Sequence, residues 1–255
     1  MSLPRTGLLG IFTVAVTTVF FPLLARLVSD QDDRAFAHSF TQGMRLVIGI
    51  SLPAGIGLVI LGEPILELFR WGEFGRDGVA QTVPLIVIYG FGLTFYSVAT
   101  FATRGLHACK DMKSPVRVAG ICLLVNLISG VVLMQFLGAS GLAISNVIAA
   151  IVQSTLLWRV LRRKRRELEE FPLRNALFKI LGAGALMGVV CKVGDQIVLE
   201  FGLVEKSYGL AIVCLVIPCC VAIYFALLYL FRFEELTLLG NFLSRFTSGR
   251  KKNGK

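Results

Sequence analysis

The sequence predicts an all-α, polytopic membrane protein, a helical bundle of about seven transmembrane helices. Seven mostly apolar stretches, at 5–27, 46–69, 81–106, 117–137, 141–160, 176–199 and 208–231, match the ~20 residues a helix needs to cross a hydrocarbon layer. Composition agrees, with 55% of residues hydrophobic, 16% charged and a mean hydropathy of +0.76, values remote from those of a soluble domain. The third observation is charge that alternates from one connection to the next. The first, third and fifth connections and the tail, helix ends included, hold 21 of the 26 Lys and Arg residues; the remainder of the chain holds 5. By the positive-inside rule the rich side is cytoplasmic, so the chain starts outside and ends inside after seven crossings. A closed β-barrel would need short segments of alternating polarity, and runs such as Leu58-Val59-Ile60-Leu61 do not alternate.

The expected organisation is a five-helix bundle over 1–160, a basic cytoplasmic linker over 161–175, two further spans over 176–232 and a basic amphipathic tail over 233–255. In the first span Thr6, Gly10, Thr13 and Thr17 share one helical face, a stripe that serves either close helix packing or a polar cavity wall. Next, Ser29-Asp30-Gln31-Asp32 has the form of a capping box opening a short surface helix with Phe36, Phe40 and Met44 on one face. Pro53, among Gly49, Gly55 and Gly57, predicts a kinked second helix, the kink being a hinge or a packing feature, because proline removes a backbone hydrogen bond. The fourth span carries Asn126, Ser129 and Gly130. After the short turn 138–141 the fifth carries Asn146, Ala149 and Gln153. So short a turn makes these helices antiparallel neighbours, and their amides can bond each other at about 0.6–2 kcal/mol per bond or face a substrate. Glu63, Glu67, Lys192 and Asp195 sit near outer helix ends, within reach of the interface, so none of them compels an ion path. The last two spans are plain apolar helices, and the tail has Leu236, Leu239, Leu243 and Phe246 on one face before Arg250-Lys251-Lys252.

Several function classes are excluded or weakened. The run 162–166 directly follows a span, so it reads as an anchor for anionic membrane lipids and not as a nucleic-acid patch. The six cysteines lie mostly within apolar spans without Cys-x-x-Cys spacing, which argues against a metal or disulfide framework. No cofactor is implied. An intramembrane enzyme would need polar groups clustered at one depth, and the two histidines, His38 and His107, both fall at helix ends. A scaffold subunit is the blander alternative. A retinal receptor is disfavoured because 208–231 has no lysine. The N-terminus lacks the charged leader and cleavage site of a signal peptide and opens almost directly into a span, as either a natural start or a fragment would.

The most specific segment is 68–115. Leu68-Phe69-Arg70-Trp71-Gly72-Glu73-Phe74 and Arg104-Gly105-Leu106-His107-Ala108-Cys109-Lys110-Asp111-Met112-Lys113-Ser114-Pro115 join Leu3-Pro4, Gly7-Leu8, Gly10, Pro22-Leu23-Leu24-Ala25-Arg26 and Gly141-Leu142-Ala143. As a set they resemble the MurJ/MviN lipid II flippases of the multidrug/oligosaccharidyl-lipid/polysaccharide exporter superfamily, over the first through fifth spans. The resemblance implies the C-terminal half, about spans eight to fourteen, of a two-bundle transporter. It would carry undecaprenyl-linked lipid II to the outer face of the bacterial inner membrane, with a groove for the lipid tail between the last two helices. It also implies that the cations gripping the diphosphate lie mostly in the other, N-terminal half, so this chain alone is expected to be inactive. Export of another polysaccharide lipid or of drugs is the alternative within the superfamily. Substrate-cavity candidates are Thr6, Thr13, Thr17, Asn126, Asn146 and Gln153. The motif residues Gly72, Phe74, Arg104, Asp111 and Pro115 have structural explanations: Gly72 permits a tight loop, Asp111 and Pro115 suit a helix start, and Arg104 or Lys110 can pair with Asp111 or a lipid phosphate.

Overall fold

Asp32 begins the longest helix of the bundle, its Oδ1 accepting from the amide of Ala35 at 2.9 Å. The computed structural model describes residues 20–68, 76–200 and 205–231. Its described elements are α1 (Phe20–Ser29), α2 (Asp33–Glu67), α3 (Arg76–Ala108), α4 (Lys113–Leu137), α5 (Ala139–Lys164) and α6 (Arg174–Glu200). After these come α7 (Glu205–Ala211), a π-helical turn (Ile212–Val216) and α8 (Ile217–Leu230). Six helices among the described residues are long and apolar enough to cross a membrane, the last running Tyr208–Leu230 through the π turn. Of the expected first span only the end is described, as α1; Thr6, Thr13, Thr17, Gly72, Phe74 and the tail helix lie outside the described residues.

The expected cap and short surface helix are corrected. Ser29 ends α1, Gln31 turns the chain with φ at +57°, and Asp32 is the cap. The apolar face from Phe36 to Met44 runs without interruption into the second span, so a single 35-residue helix forms and passes through Pro53 and Pro64.

Close backbone approach holds α2 to α3. A β-carbon added at Gly55 would lie 2.5 Å from the carbonyl oxygen of Gly90. Gly43 and Gly105 similarly admit the rings of Phe101 and Phe40, whose centroids lie 5.1 Å apart. Small residues at such a contact let dispersion forces act where no hydrophobic driving force separates helix from lipid. The helix α6 then returns onto α2, with Leu52 and Ile56 against Gly184. A single core cluster therefore runs from α1 through α8, and the last two spans share it. By contrast α4 presents Leu123, Leu127, Ile128 and Phe136 outward, each at least 61% exposed, as a lipid-facing helix should.

The connection after α5 is a strap across the base of α2. Leu168 is buried, Phe171 packs edge-on to His38 at 5.1 Å, and an Arg45 guanidinium N–H donates to the carbonyl of Pro172 at 3.0 Å. Arg165 pairs with Asp33 and lies 5.3 Å from the Phe36 ring centroid; Arg34 meets Glu170 at 3.1 Å, and Arg162 meets Glu169 at 3.0 Å. Much of the basic run thus serves intramolecular pairing, while Arg163 and Arg166 stay exposed.

Candidate functional site: a polar groove along α3

Polar residues on α3 recur at Tyr89, Tyr96, Thr100, Thr103 and His107, spacings that keep them on one side of a 3.6-residue helix. Their side opens as a groove of about 330 Å³ lined by Tyr96, Thr100, Thr103, Arg104 and His107 of α3 and by Gln153 of α5. A second hollow of about 250 Å³ adjoins it between α3, α4 and α5, lined by Asn126, Asn146 and, again, Tyr96 and Gln153. The shared residues make the two hollows one track.

Toward the start of α3 the track carries a hydrogen-bonded chain. Ser145 Oγ donates to Asn126 Oδ1 at 2.9 Å, Asn126 Nδ2 donates to Asn146 Oδ1 at 3.1 Å, and Asn146 Nδ2 reaches the Tyr89 hydroxyl at 3.4 Å. The expected amide pairing across the short turn is therefore present. The turn itself depends on Gly138, whose φ of +56° and ψ of −132° suit a residue without a β-carbon. Thr100 and Thr103 spend their hydroxyl protons on carbonyls one turn back, at 2.8 Å each, which leaves oxygen lone pairs as acceptors. At the other end lie Arg104, exposed, and His107. The track offers amide and hydroxyl hydrogen bonds along its length and a cation at its mouth. It suits binding a polar, hydroxyl-rich or anionic group.

The sequence candidates divide accordingly. Asn126, Asn146 and Gln153 come together in the track, and Arg104 lines its mouth. Asp111 and Pro115 shape the start of α4: Asp111 Oδ1 accepts from the Ser114 amide at 3.0 Å and the Lys113 amide at 3.2 Å, and Pro115 is buried in the first turn. The ion-pair partner of Asp111 is Lys164 at the end of α5, 2.6 Å away, and not Arg104 or Lys110 beside it in sequence. Packing of α5 against α3 brings that distant lysine over the loop. Tyr89, Tyr96, Thr100 and Thr103 escaped sequence reasoning, although their spacing on α3 was the signal, and His107 was noted only as a motif residue at a helix end.

Burial pushes the Asp111 carboxyl up, but hydrogen bonds from Lys164 and Ser114 and the lysine charge outweigh it and hold the group well below the usual carboxylate range. The neighbouring Cys109 thiol is pushed up to about 11, first by burial, with Lys164 opposing and Asp111 adding. A depressed carboxyl contributes stability fully above its unfolded value near ~3.9, and loses it only as the pH falls from there through the lowered value. The difference in melting temperature between the native chain and Asp111→Asn should therefore be equal at pH 7 and pH 5. A gap already shrinking at pH 5 would contradict the assignment.

At the opposite end of the bundle, Asp195 of α6 is 5% exposed and satisfied by the Tyr208 hydroxyl and by Lys192 at 3.4 Å. A buried charge paired in this way fastens α6 to the start of the last span.

Comparison with known proteins places this arrangement. A family model described as lipid II flippase MurJ matches residues 6–230. Among curated relatives, proteins named probable lipid II flippase MurJ from Vibrio cholerae and Thermotoga maritima are 31% and 32% identical over 70% and 71% of this chain. One from Rhizobium meliloti is 28% identical over 87% of it. The aligned segments are 35%, 36% and 42% of those relatives' own lengths, so the chain spans well under half of each protein it matches. A solved structure titled lipid II flippase MurJ, inward closed conformation, superposes with a TM-score of 0.73 at 23% identity, covering 89% of this chain and 45% of that one.

Proposed function

The chain belongs to the lipid II flippase MurJ family, and on that premise we propose that it is the second helical bundle of a lipid II flippase. It works with a first bundle to carry the undecaprenyl-linked precursor from the cytoplasmic to the outer face of the inner membrane, and is inactive without it. The observation that carries this reading is the track along α3. Polar groups there open out of a mostly apolar helix bundle, and in lipid an uncovered polar stripe is costly. A facing bundle, or the water-filled space between two bundles, removes that cost. Asn126, Asn146 and Gln153 then offer hydrogen bonds to a sugar or peptide, and Arg104 attracts phosphate at the mouth. No bond is made or broken in such transport. An inside-negative potential drives an anionic headgroup outward at about 2.3 kcal/mol per charge per 100 mV.

The test is a chimera. The first half of the Vibrio cholerae relative, fused to this chain, should restore growth to cells depleted of their lipid II flippase, whereas this chain alone should not. Rescue by the chain alone, or failure of a chimera that reaches the membrane, would sink the reading.

We also propose that the basic end faces the cytoplasm, supported by the 21-to-5 partition of cations. Arg163 and Arg166, exposed at that end, then meet anionic lipid headgroups. A single cysteine replacing Arg163 should resist a membrane-impermeant thiol reagent in intact cells and react once the cells are opened. Labelling in intact cells would reverse the orientation.

A further inference from the structure

Pro53 lies inside α2, and proline has no amide hydrogen. The acceptor it deprives is the carbonyl four residues earlier, that of Gly49. In water such a carbonyl would be hydrated, but within a membrane bundle it has to find a donor in the protein. The structure provides one. The Tyr224 hydroxyl of α8 donates to the Gly49 carbonyl oxygen at 2.7 Å. Tyr224 is 1% exposed and among the largest fully buried side chains, so its own hydroxyl needs an acceptor as much as the carbonyl needs a donor. Two groups that would each be costly alone cancel one another, across 175 residues of sequence.

We propose that Tyr224 is a positioning residue that clasps the last helix to α2 at Pro53, substituting for the missing backbone bond. Its hydroxyl holds the turn N-terminal to Pro53, because Gly49 precedes Pro53. Any opening of α2 at Pro53 must then either release the clasp or carry α8 with it. The proline turn of α2 and the α6–α8 pair are thereby one mechanical unit, while the polar track along α3 lies apart from it. The inference does not rest on the identity of the transported lipid.

The experiment is a double-substitution cycle on the full chain in detergent, with thermal unfolding as the readout. Tyr224→Phe keeps the ring and removes the hydroxyl. In the native background it should lower the melting temperature by about 2–4 °C. Pro53→Ala restores an amide hydrogen at position 53, which can bond Gly49 directly, so in that background Tyr224→Phe should shift the melting temperature by less than half as much. A role of the hydroxyl in packing alone would not distinguish the two backgrounds. Equal drops in both, or no drop in either, overturn the proposal. If Tyr224→Phe alone fails to fold and the double variant folds, the proposal stands. If both fail, it falls.

Discussion

Replacing Gly141 by valine is expected to unseat α5 from α4 and to cost about 3 kcal/mol, the upper end of what overpacking usually costs. A β-carbon at Gly141 would lie 2.3 Å from the Leu133 carbonyl oxygen and 2.8 Å from the Met134 amide nitrogen. Both obstacles are backbone atoms, so no rotamer change relieves them. The hairpin would have to open at the turn, and the Asn126 and Asn146 amides would part with it. Gly120, within α4, is the control of opposite sign. Nothing lies within 4 Å of a β-carbon there, so Gly120→Ala should gain about 0.5–1 kcal/mol by restricting the unfolded chain. Unfolding midpoints of the two variants in one detergent decide the matter. A Gly141→Val chain as stable as the native one would refute the close approach.

The second large effect is expected at the α2–α3 crossing. Gly55→Leu places a branched side chain where the carbonyl oxygen of Gly90 sits 2.5 Å from the would-be β-carbon, and Gly90 in turn is hemmed by Val59 at 2.9 Å. These helices cannot stay at that separation, and their displacement strains the Phe40–Phe101 contact further along the crossing. Destabilisation of about 3 kcal/mol should appear as loss of a monodisperse peak after mild heating, and Gly55→Ala should show a smaller loss of the same kind. If leucine at 55 leaves the heated protein monodisperse, the crossing is looser than described.

Much of this architecture was legible in the sequence because hydropathy is summed over some twenty residues, and such sums tolerate errors at single positions. The stretch 117–137 became α4 at Lys113–Leu137, and 141–160 became α5 at Ala139–Lys164. The Asn126–Asn146 bond was legible too, since a turn as short as 138–141 makes its flanking helices antiparallel neighbours. Contacts between distant segments were not legible. Arg165 finds Asp33 across 132 residues, and Lys164 reaches Asp111, because α5 and its strap fold back over α2 and the α3–α4 loop. Hydropathy ranks helices by greasiness but does not say which packs on which. For the same reason α6 and α8 looked featureless, although Gly184, Asp195 and Tyr224 each mark a contact with another element.

The length of α2 has a consequence for how the protein responds to its medium. Its 35 residues measure about 52 Å at 1.5 Å per residue, against a hydrocarbon layer roughly 30 Å thick. The surplus stands in water at the base, where the strap is tied on by the Arg34–Glu170 and Arg162–Glu169 pairs, all four side chains nearly half exposed or more. At physiological ionic strength the Debye length is about 8 Å, so dissolved salt weakens these ties. The glycine crossing within the membrane carries no charge and is indifferent to it. Ionic strength and detergent therefore act on separate joints of the same molecule: added salt loosens the base first, and a harsher detergent opens the crossing first.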